Sequence, residues 1–175
     1  MSTRIPTAFI MVGLLDDRKR PWVAVEAMLD PRLSNYHLSI VGEGPLRASL
    51  ERFVSEHGLG DRVTFFGRLA HEETIRAIES SRILVHPAVR EGSPWVVGEA
   101  AAVGVPAVVF EGSGADSTAL LSNNGGVIVS GGQAGGLAAP FVDAILKVAA
   151  SEPPAATDRW DASRIPHLIA DWWRS

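Results

Sequence analysis

Residues 37–54 read HLSIVGEGPLRASLERFV. The first five positions are strand-length and mostly apolar, two glycines and a proline punctuate the chain, and Leu46, Leu50, Phe53 and Val54 then mark one stripe of a helix. A strand that runs through a tight loop into an amphipathic helix is the repeating unit of an α/β protein. The alternation continues on both sides of this stretch. TAFIMVG precedes PWVAVEAML, RVTFFG precedes HEETIRAIESS, ILVHP precedes WVVGEAAAVG, AVVF leads into a turn-rich stretch, and GVIV precedes LAAPFVDAILKVAA. Nearly continuous apolar runs belong to strands covered on both faces. The expected fold is therefore α/β: a Rossmann-like, open, mostly parallel sheet of about six strands with helices on both faces. Neither a solenoid period nor a coiled-coil heptad is present. Two prolines in SEPPAAT, residues 151–157, end the last core helix. They divide the chain into a Rossmann-like domain over 1–152 and a tail over 153–175. Within the tail, Ala162–Trp173 reads as one short helix carrying Trp172 and Trp173, packed on the domain or turned toward a further one.

Composition narrows the possible partners. The 175 residues are 46% hydrophobic and 21% charged, which describes one folded domain with a real core. A formal net charge of −4 argues against nucleic acid or an anionic membrane surface as the main partner. With no cysteine, disulfide scaffolds and thiolate metal sites are excluded, and a reducing compartment is mildly favoured. The apolar run Ala8–Leu15 leads straight into Asp16, Asp17 and RKR, so it reads as a first strand and not as the core of a signal peptide. No segment has the roughly 20 apolar residues of a membrane span.

Ligands of open parallel sheets sit outside the carboxyl ends of the strands, which directs attention to the strand-to-helix loops. The candidates are VGLLDDRKRP, VGEGP, FGRLAHEE and HPAVREGSPW. VGEGPLRA lacks the third glycine of a dinucleotide fingerprint, and its two glycines fit either a tight turn or a loop that approaches a ligand. SGGQAGG, near residue 133, reads as a surface loop.

The last candidate opens the most informative stretch, REGSPWVVGEA, residues 90–100. Glu91 and Glu99 are eight positions apart, but so are Glu43 and Glu51, so the spacing alone says nothing. The surroundings differ. Glu51 lies among Arg47, Arg52 and Glu56 on the polar face of an amphipathic helix, where its charge is solvated. Glu99 is the only charged residue between Glu91 and Glu111, in a helix apolar on every face. A carboxylate there needs hydrogen bonds, a salt-bridge partner or a pocket. Ser93 suits the N-cap and Pro94 the first helical position, leaving the N–H groups of Trp95 and Val96 free for an anion such as phosphate. Glu99 lies about 7–8 Å further along the axis at about 1.5 Å per residue, the reach from a nucleotide's phosphates to its ribose hydroxyls. Glu91 either favours the positive end of the helix dipole or faces neutral hydroxyls, such as those of a sugar. Lys19, on the same rim, is either a solvated loop lysine or a counter-charge for phosphate.

These motifs, in this order from about Ala8 to Val129, resemble the C-terminal, nucleotide-sugar-binding domain of retaining GT-B glycosyltransferases of the group-one (family-four) type. The resemblance is carried by VGLLDDRKRP, IVGEGPLRASLERF, DRVTFFGRL, ILVHPAVREGSPWVVGEAAAVGVPAVV and GGVIV. RWDASRIPHLIADWW resembles the family's closing helix only weakly. The resemblance implies transfer of a hexose from a UDP- or GDP-linked sugar to an acceptor glycan or lipid, without a metal. It implies Glu91 and Lys19 as the catalytic pair, with Glu91 holding donor-sugar hydroxyls and Lys19 the diphosphate. It further implies Glu99 on the ribose, amides around Ser93, Trp95 and Val96 on sugar and phosphate, Gly13 in the donor-binding set, and Gly67, Arg68 and Leu69 lining the base. The complete enzyme would work in the cytoplasm, peripheral at the inner face of a membrane.

Two departures qualify the resemblance. Leu14 stands where the family usually has an arginine that neutralises the leaving diphosphate, and Arg18 and Arg20 are the nearby cations. The family's N-terminal, acceptor-binding domain is not among these residues, so the expectation is an excised domain, a subunit with a partner chain, or a relative that only binds. A dinucleotide-binding oxidoreductase domain and a binding-only or regulatory domain are the alternatives.

Overall fold

The computed structural model describes residues 8–92, 94–115, 127–130 and 136–151. Ser93, most of SGGQAGG and the tail helix lie outside the described residues. Six strands form one sheet: β1 (Ala8–Val12), β2 (His37–Val41), β3 (Val63–Gly67), β4 (Ile83–His86), β5 (Ala107–Phe110) and β6 (Val127–Val129). Among the described residues five α-helices accompany them: α1 (Pro21–Ala27), α2 (Arg47–Glu56), α3 (His71–Ser80), α4 (Trp95–Ala102) and α5 (Ala138–Ala150). The strand order is β3-β2-β1-β4-β5-β6 and every neighbouring pair is parallel. This is the doubly wound order, with its switch point between β1 and β4.

The apolar runs are continuous because the central strands are buried on both faces. Alternate residues of one strand serve different layers. Phe9 and Met11 of β1 join α1, α2 and α5 in one core, through Val25, Leu50 and Phe141. Ile10, between them, joins Ile78 of α3 and Val97 and Ala100 of α4 in the other. The helix stripe at 46–54 is read correctly, since Leu50 and Val54 are buried and Leu46 and Phe53 pack against the same core. At the sheet edge β3 alternates instead: Val63 is buried, whereas Thr64 and Phe66 are exposed.

Helix α4 departs from expectation in two ways. It begins at Trp95, with Pro94 as the preceding cap residue in an extended conformation (φ −77°, ψ 97°), not as the first helical residue. It is also not covered all round, because Trp95 is 57% exposed even though Val97 and Ala100–Ala102 are buried. The shift by one residue leaves Trp95 and Val96 at the first two helical positions, whose N–H groups have no intrahelical acceptor.

Candidate functional site

The loops at the carboxyl ends of the strands are joined to one another by backbone hydrogen bonds. In the loop after β1, Gly13 N–H donates to Val41 O (3.0 Å) and Leu15 N–H to Glu43 O (2.9 Å). The loop after β2 closes on its neighbours in turn, with Leu46 N–H donating to Leu15 O (3.0 Å) and Gly42 N–H to Gly67 O (2.7 Å). Toward the other edge, Val89 N–H donates to Arg18 O (3.2 Å) and Glu91 N–H to Ser113 O (2.6 Å). The glycines of VGEGP serve this packing. A Cβ on Gly42 would overlap the Gly13 carbonyl oxygen, and one on Gly44 would come within 2.5 Å of the Leu15 carbonyl oxygen. VGEGP is therefore a turn that admits the neighbouring loop's backbone. Gly114, at φ +83°, likewise makes room for the carbonyl oxygen of Glu91.

On this rim Asp16 shapes the first loop. Its Oδ1 accepts from Arg18 N–H (3.1 Å) and Lys19 N–H (3.0 Å), an Asx turn that folds the chain back. Burial alone would raise the Asp16 pKa, but these backbone bonds and the Arg18 guanidinium more than offset it and hold the group below its ordinary value. Folded back in this way, Lys19 meets the loop after β4. Its Nζ lies 2.6 Å from Glu91 Oε1, with the two side chains only 17% and 13% exposed. His86, which ends β4, places Nε2 3.7 Å from the same oxygen.

The second carboxylate has a different setting. Glu99 is half-buried on α4, its Oε1 3.6 Å from Nδ1 of the exposed His71 at the start of α3. Burial raises the Glu99 pKa, and His71 offsets part of that. On the same rim a cleft of about 280 Å³ opens over the ends of β1, β2 and β3, between Gly13 and Leu14 on one side and Glu43, Arg68 and Leu69 on the other. Gly13 connects the cleft to the ion pair, since the aliphatic stem of Lys19 lies against it.

The profile of the group 1 glycosyl transferases matches residues 5–153. The chain belongs to that family. Among curated relatives, the amylovoran biosynthesis glycosyltransferase AmsK of Erwinia amylovora is 32% identical over 117 residues, covering 62% of this chain and 29% of AmsK. Among solved structures, WaaG, a glycosyltransferase involved in lipopolysaccharide biosynthesis, superposes with a TM-score of 0.73 at 20% identity, over 98% of this chain and 47% of WaaG. HepE of Anabaena, solved in complex with UDP and glucose, gives 0.67 at 21% identity, over 96% of this chain and 48% of HepE. The chain thus spans about half the length of these solved glycosyltransferases and under a third of AmsK. Their likeness to this group 1 chain confirms the Rossmann-like sheet of a GT-B glycosyltransferase, and a dinucleotide oxidoreductase domain is set aside.

In this member of the group 1 family the residues singled out in the sequence divide into three groups. Lys19 and Glu91 are brought into direct contact. Gly13, Arg68 and Leu69 line the cleft, while Gly67 is buried at the end of β3 below the Glu43–Arg47 ion pair. Trp95, Val96 and Glu99 follow on α4, and Ser93 is outside the described residues. Glu51 pairs with Arg47 at 2.8 Å on the exposed face of α2, which agrees with a charge that needs no function. Two histidines escaped the sequence reading. His86 is the one polar residue of ILVHP, and a buried histidine at the end of a central strand is the signal that could have found it. His71 opens a helix on the same rim. Among the described residues no group of three or more His, Asp or Glu side chains could hold a metal, and no helix is long and apolar enough to cross a membrane.

Proposed function

We propose that this chain is the donor-binding half of a retaining glycosyltransferase, moving a hexose from a UDP- or GDP-linked sugar to an acceptor glycan or lipid. The observation that carries the reading is the contact between Lys19 and Glu91 at the switch point, beside an open cleft. Lys19 meets the diphosphate as a compact cation, with the first-turn amides of Trp95 and Val96, and of Ser93, completing the anion site. Glu91 accepts hydrogen bonds from hydroxyls of the donor sugar at the reacting face. Glu99, held half-buried about one turn into α4, accepts from the ribose hydroxyls, whose donation replaces the water that burial removed. Arg68 and Leu69 receive the base in the cleft, with Gly67 buried behind them at the end of β3. No metal is needed in this scheme, because the charge of the leaving diphosphate falls on Lys19 and on helix amides.

Transfer itself requires an acceptor-binding domain, N-terminal to this one or on a partner chain, that closes over the rim. The donor domain covers residues 1–152 in this scheme, with the 153–175 tail packing on it or on the acceptor domain. A role in polysaccharide or glycolipid synthesis fits the amylovoran and lipopolysaccharide biosynthesis of AmsK and WaaG, and the complete enzyme would work in the cytoplasm, peripheral at the membrane's inner face. Leu14 favours a second reading, a domain that binds the donor without transferring it. The side chain is 44% exposed on the cleft and brings no positive charge where the leaving group departs. The test is the melting temperature with UDP, GDP and their sugars at millimolar concentration. A rise that Glu99→Ala removes supports the donor site, and no stabilisation by any of them refutes it. Product formation when an acceptor domain is supplied separates transfer from binding alone.

A further inference from the structure

His86 lies beneath the ion pair at the end of β4. Its side chain is 1% exposed, and Nε2 has no hydrogen-bond partner among the described residues. A buried polar atom left unsatisfied is destabilising and calls for an explanation. At 3.7 Å, its separation from Glu91 Oε1 is too long for a hydrogen bond, and that oxygen is already held by Lys19 at 2.6 Å. Two ionisable groups act on the imidazole, from two different loops. Lys19, after β1, opposes a proton on it, and Glu91, after β4, favours one. The neighbouring position of β5 is the apolar Val109. Burial is the largest influence, and with Lys19 it brings the His86 pKa down to about 4, so the ring is neutral in the free protein.

We infer that His86 is the positioning residue of Glu91: when Lys19 turns from Glu91 to the donor's diphosphate, His86 takes a proton on Nε2 and holds the carboxylate in its place. The inference rests on the donor-site reading above. A diphosphate set against Lys19 cancels the repulsion that the ammonium exerts on the ring, while the attraction of Glu91 remains. Glu91, with its side chain only 13% exposed, has little access to solvent that could replace the lysine. Less than about 1 Å of movement would turn the existing approach into a hydrogen bond. The proton comes from solvent and no covalent bond changes, so donor binding is coupled to proton uptake. With Glu91 held from below, its free oxygen keeps its aim toward the sugar hydroxyls after its first partner has left.

The test is titration calorimetry of the full chain with UDP-glucose and GDP-mannose, whose diphosphate diesters carry no group titrating in the range used. Running each titration in buffers of different ionisation enthalpy counts the protons. The expected result is uptake of roughly half a proton or more per bound donor near pH 6, falling toward none near pH 8. His86→Gln should abolish the uptake while leaving affinity near pH 8 within about threefold of wild type. Binding without uptake, or uptake that persists in His86→Gln, overturns the inference but not the donor reading. Failure of both sugar nucleotides to bind overturns the donor reading and the inference with it. Should His86→Gln fold poorly, the imidazole resonances of the wild-type chain decide. A His86 ring that is neutral when free and protonated when saturated near pH 6 supports the exchange, and a ring neutral in both states refutes it.

Discussion

Acidifying the protein should remove stability through His86 before most carboxylates titrate. The ring sits at about 4 in the folded chain against an ordinary 6.5. Between those values the unfolded chain binds a proton that the folded chain refuses, so the free energy of unfolding falls as pH falls. The contribution is fully present above about pH 6.5 and is lost as pH drops through the folded value. At about 1.4 kcal/mol per pH unit the whole interval amounts to about 3 kcal/mol, of which about 2 is lost between pH 6.5 and 5. Against a typical domain stability of about 5–15 kcal/mol this is a large fraction. Glu99 acts in the opposite sense, since burial raises its pKa and the folded chain keeps its proton to higher pH. Asp16 and Asp30 are held below their ordinary 3.8 and act in more acid solution. The window from about pH 5 to 6.5 lies above Asp16 and Asp30 and holds most of the His86 contribution, and comparison with a variant lacking the imidazole separates it from Glu99 and the other histidines.

Urea unfolding across that window, for wild type and His86→Gln, is the appropriate assay. The other histidines and carboxylates are common to both proteins, so the difference in slope reports His86 alone. Wild type should lose about 2 kcal/mol more than the variant between pH 6.5 and 5. Equal slopes would refute the reasoning, because they would mean that the imidazole takes its proton as easily inside the fold as outside.

Three further substitutions probe other parts of the structure. Gly42→Ala forces a Cβ onto the Gly13 carbonyl at φ +139° and should cost about 3 kcal/mol or more in urea unfolding; a loss under about 1 would show that the two loops are not packed as described. Leu14→Arg, at an exposed position on the cleft, should tighten UDP binding by about tenfold and steepen its salt dependence, and an unchanged Kd would place the diphosphate away from Leu14. Arg82→Met removes the guanidinium that binds the Val148 and Ala149 carbonyls at 3.2 and 3.4 Å, as well as that of Ser151, at the end of α5. It should cost about 2 kcal/mol without altering nucleotide affinity, and a change in affinity would tie the far end of the sheet to the donor site.

The fold was legible because burial on both faces leaves a strong imprint: a strand such as ILVH has little room for polar residues, and a helix such as α2 shows its stripe. Local geometry was less legible. The preference of proline for the first helical position placed the start of α4 at Pro94, but the chain leaves the β4 loop extended through that residue and turns helical at Trp95. The glycines of VGEGP could not be assigned, because a glycine that admits a ligand and one that admits a neighbouring backbone look alike in sequence. Glu99 was identified from its isolation among apolar residues, a local property. Its approach to His71, and that of Lys19 to Glu91, depend on which strands become neighbours, and no local pattern encodes that.

Those pairings bear on how the site recognises a ligand. Neither carboxylate waits with its charge exposed: Glu91 already holds Lys19, and Glu99 lies within reach of His71. On the donor reading proposed above, a donor exchanges partners at each position, and its net affinity is the difference between the contacts made and those released. For Glu91 the exchange is unequal, because a diphosphate attracts the lysine while a sugar hydroxyl is a weaker partner for the carboxylate than an ammonium. A phosphate-bearing ligand without a sugar would strip Lys19 away and leave Glu91 with nothing on its sugar side. In that reading the sugar hydroxyls supply what the displaced lysine gave, so the site should favour the intact donor over the bare nucleotide wherever Glu91 is held in place.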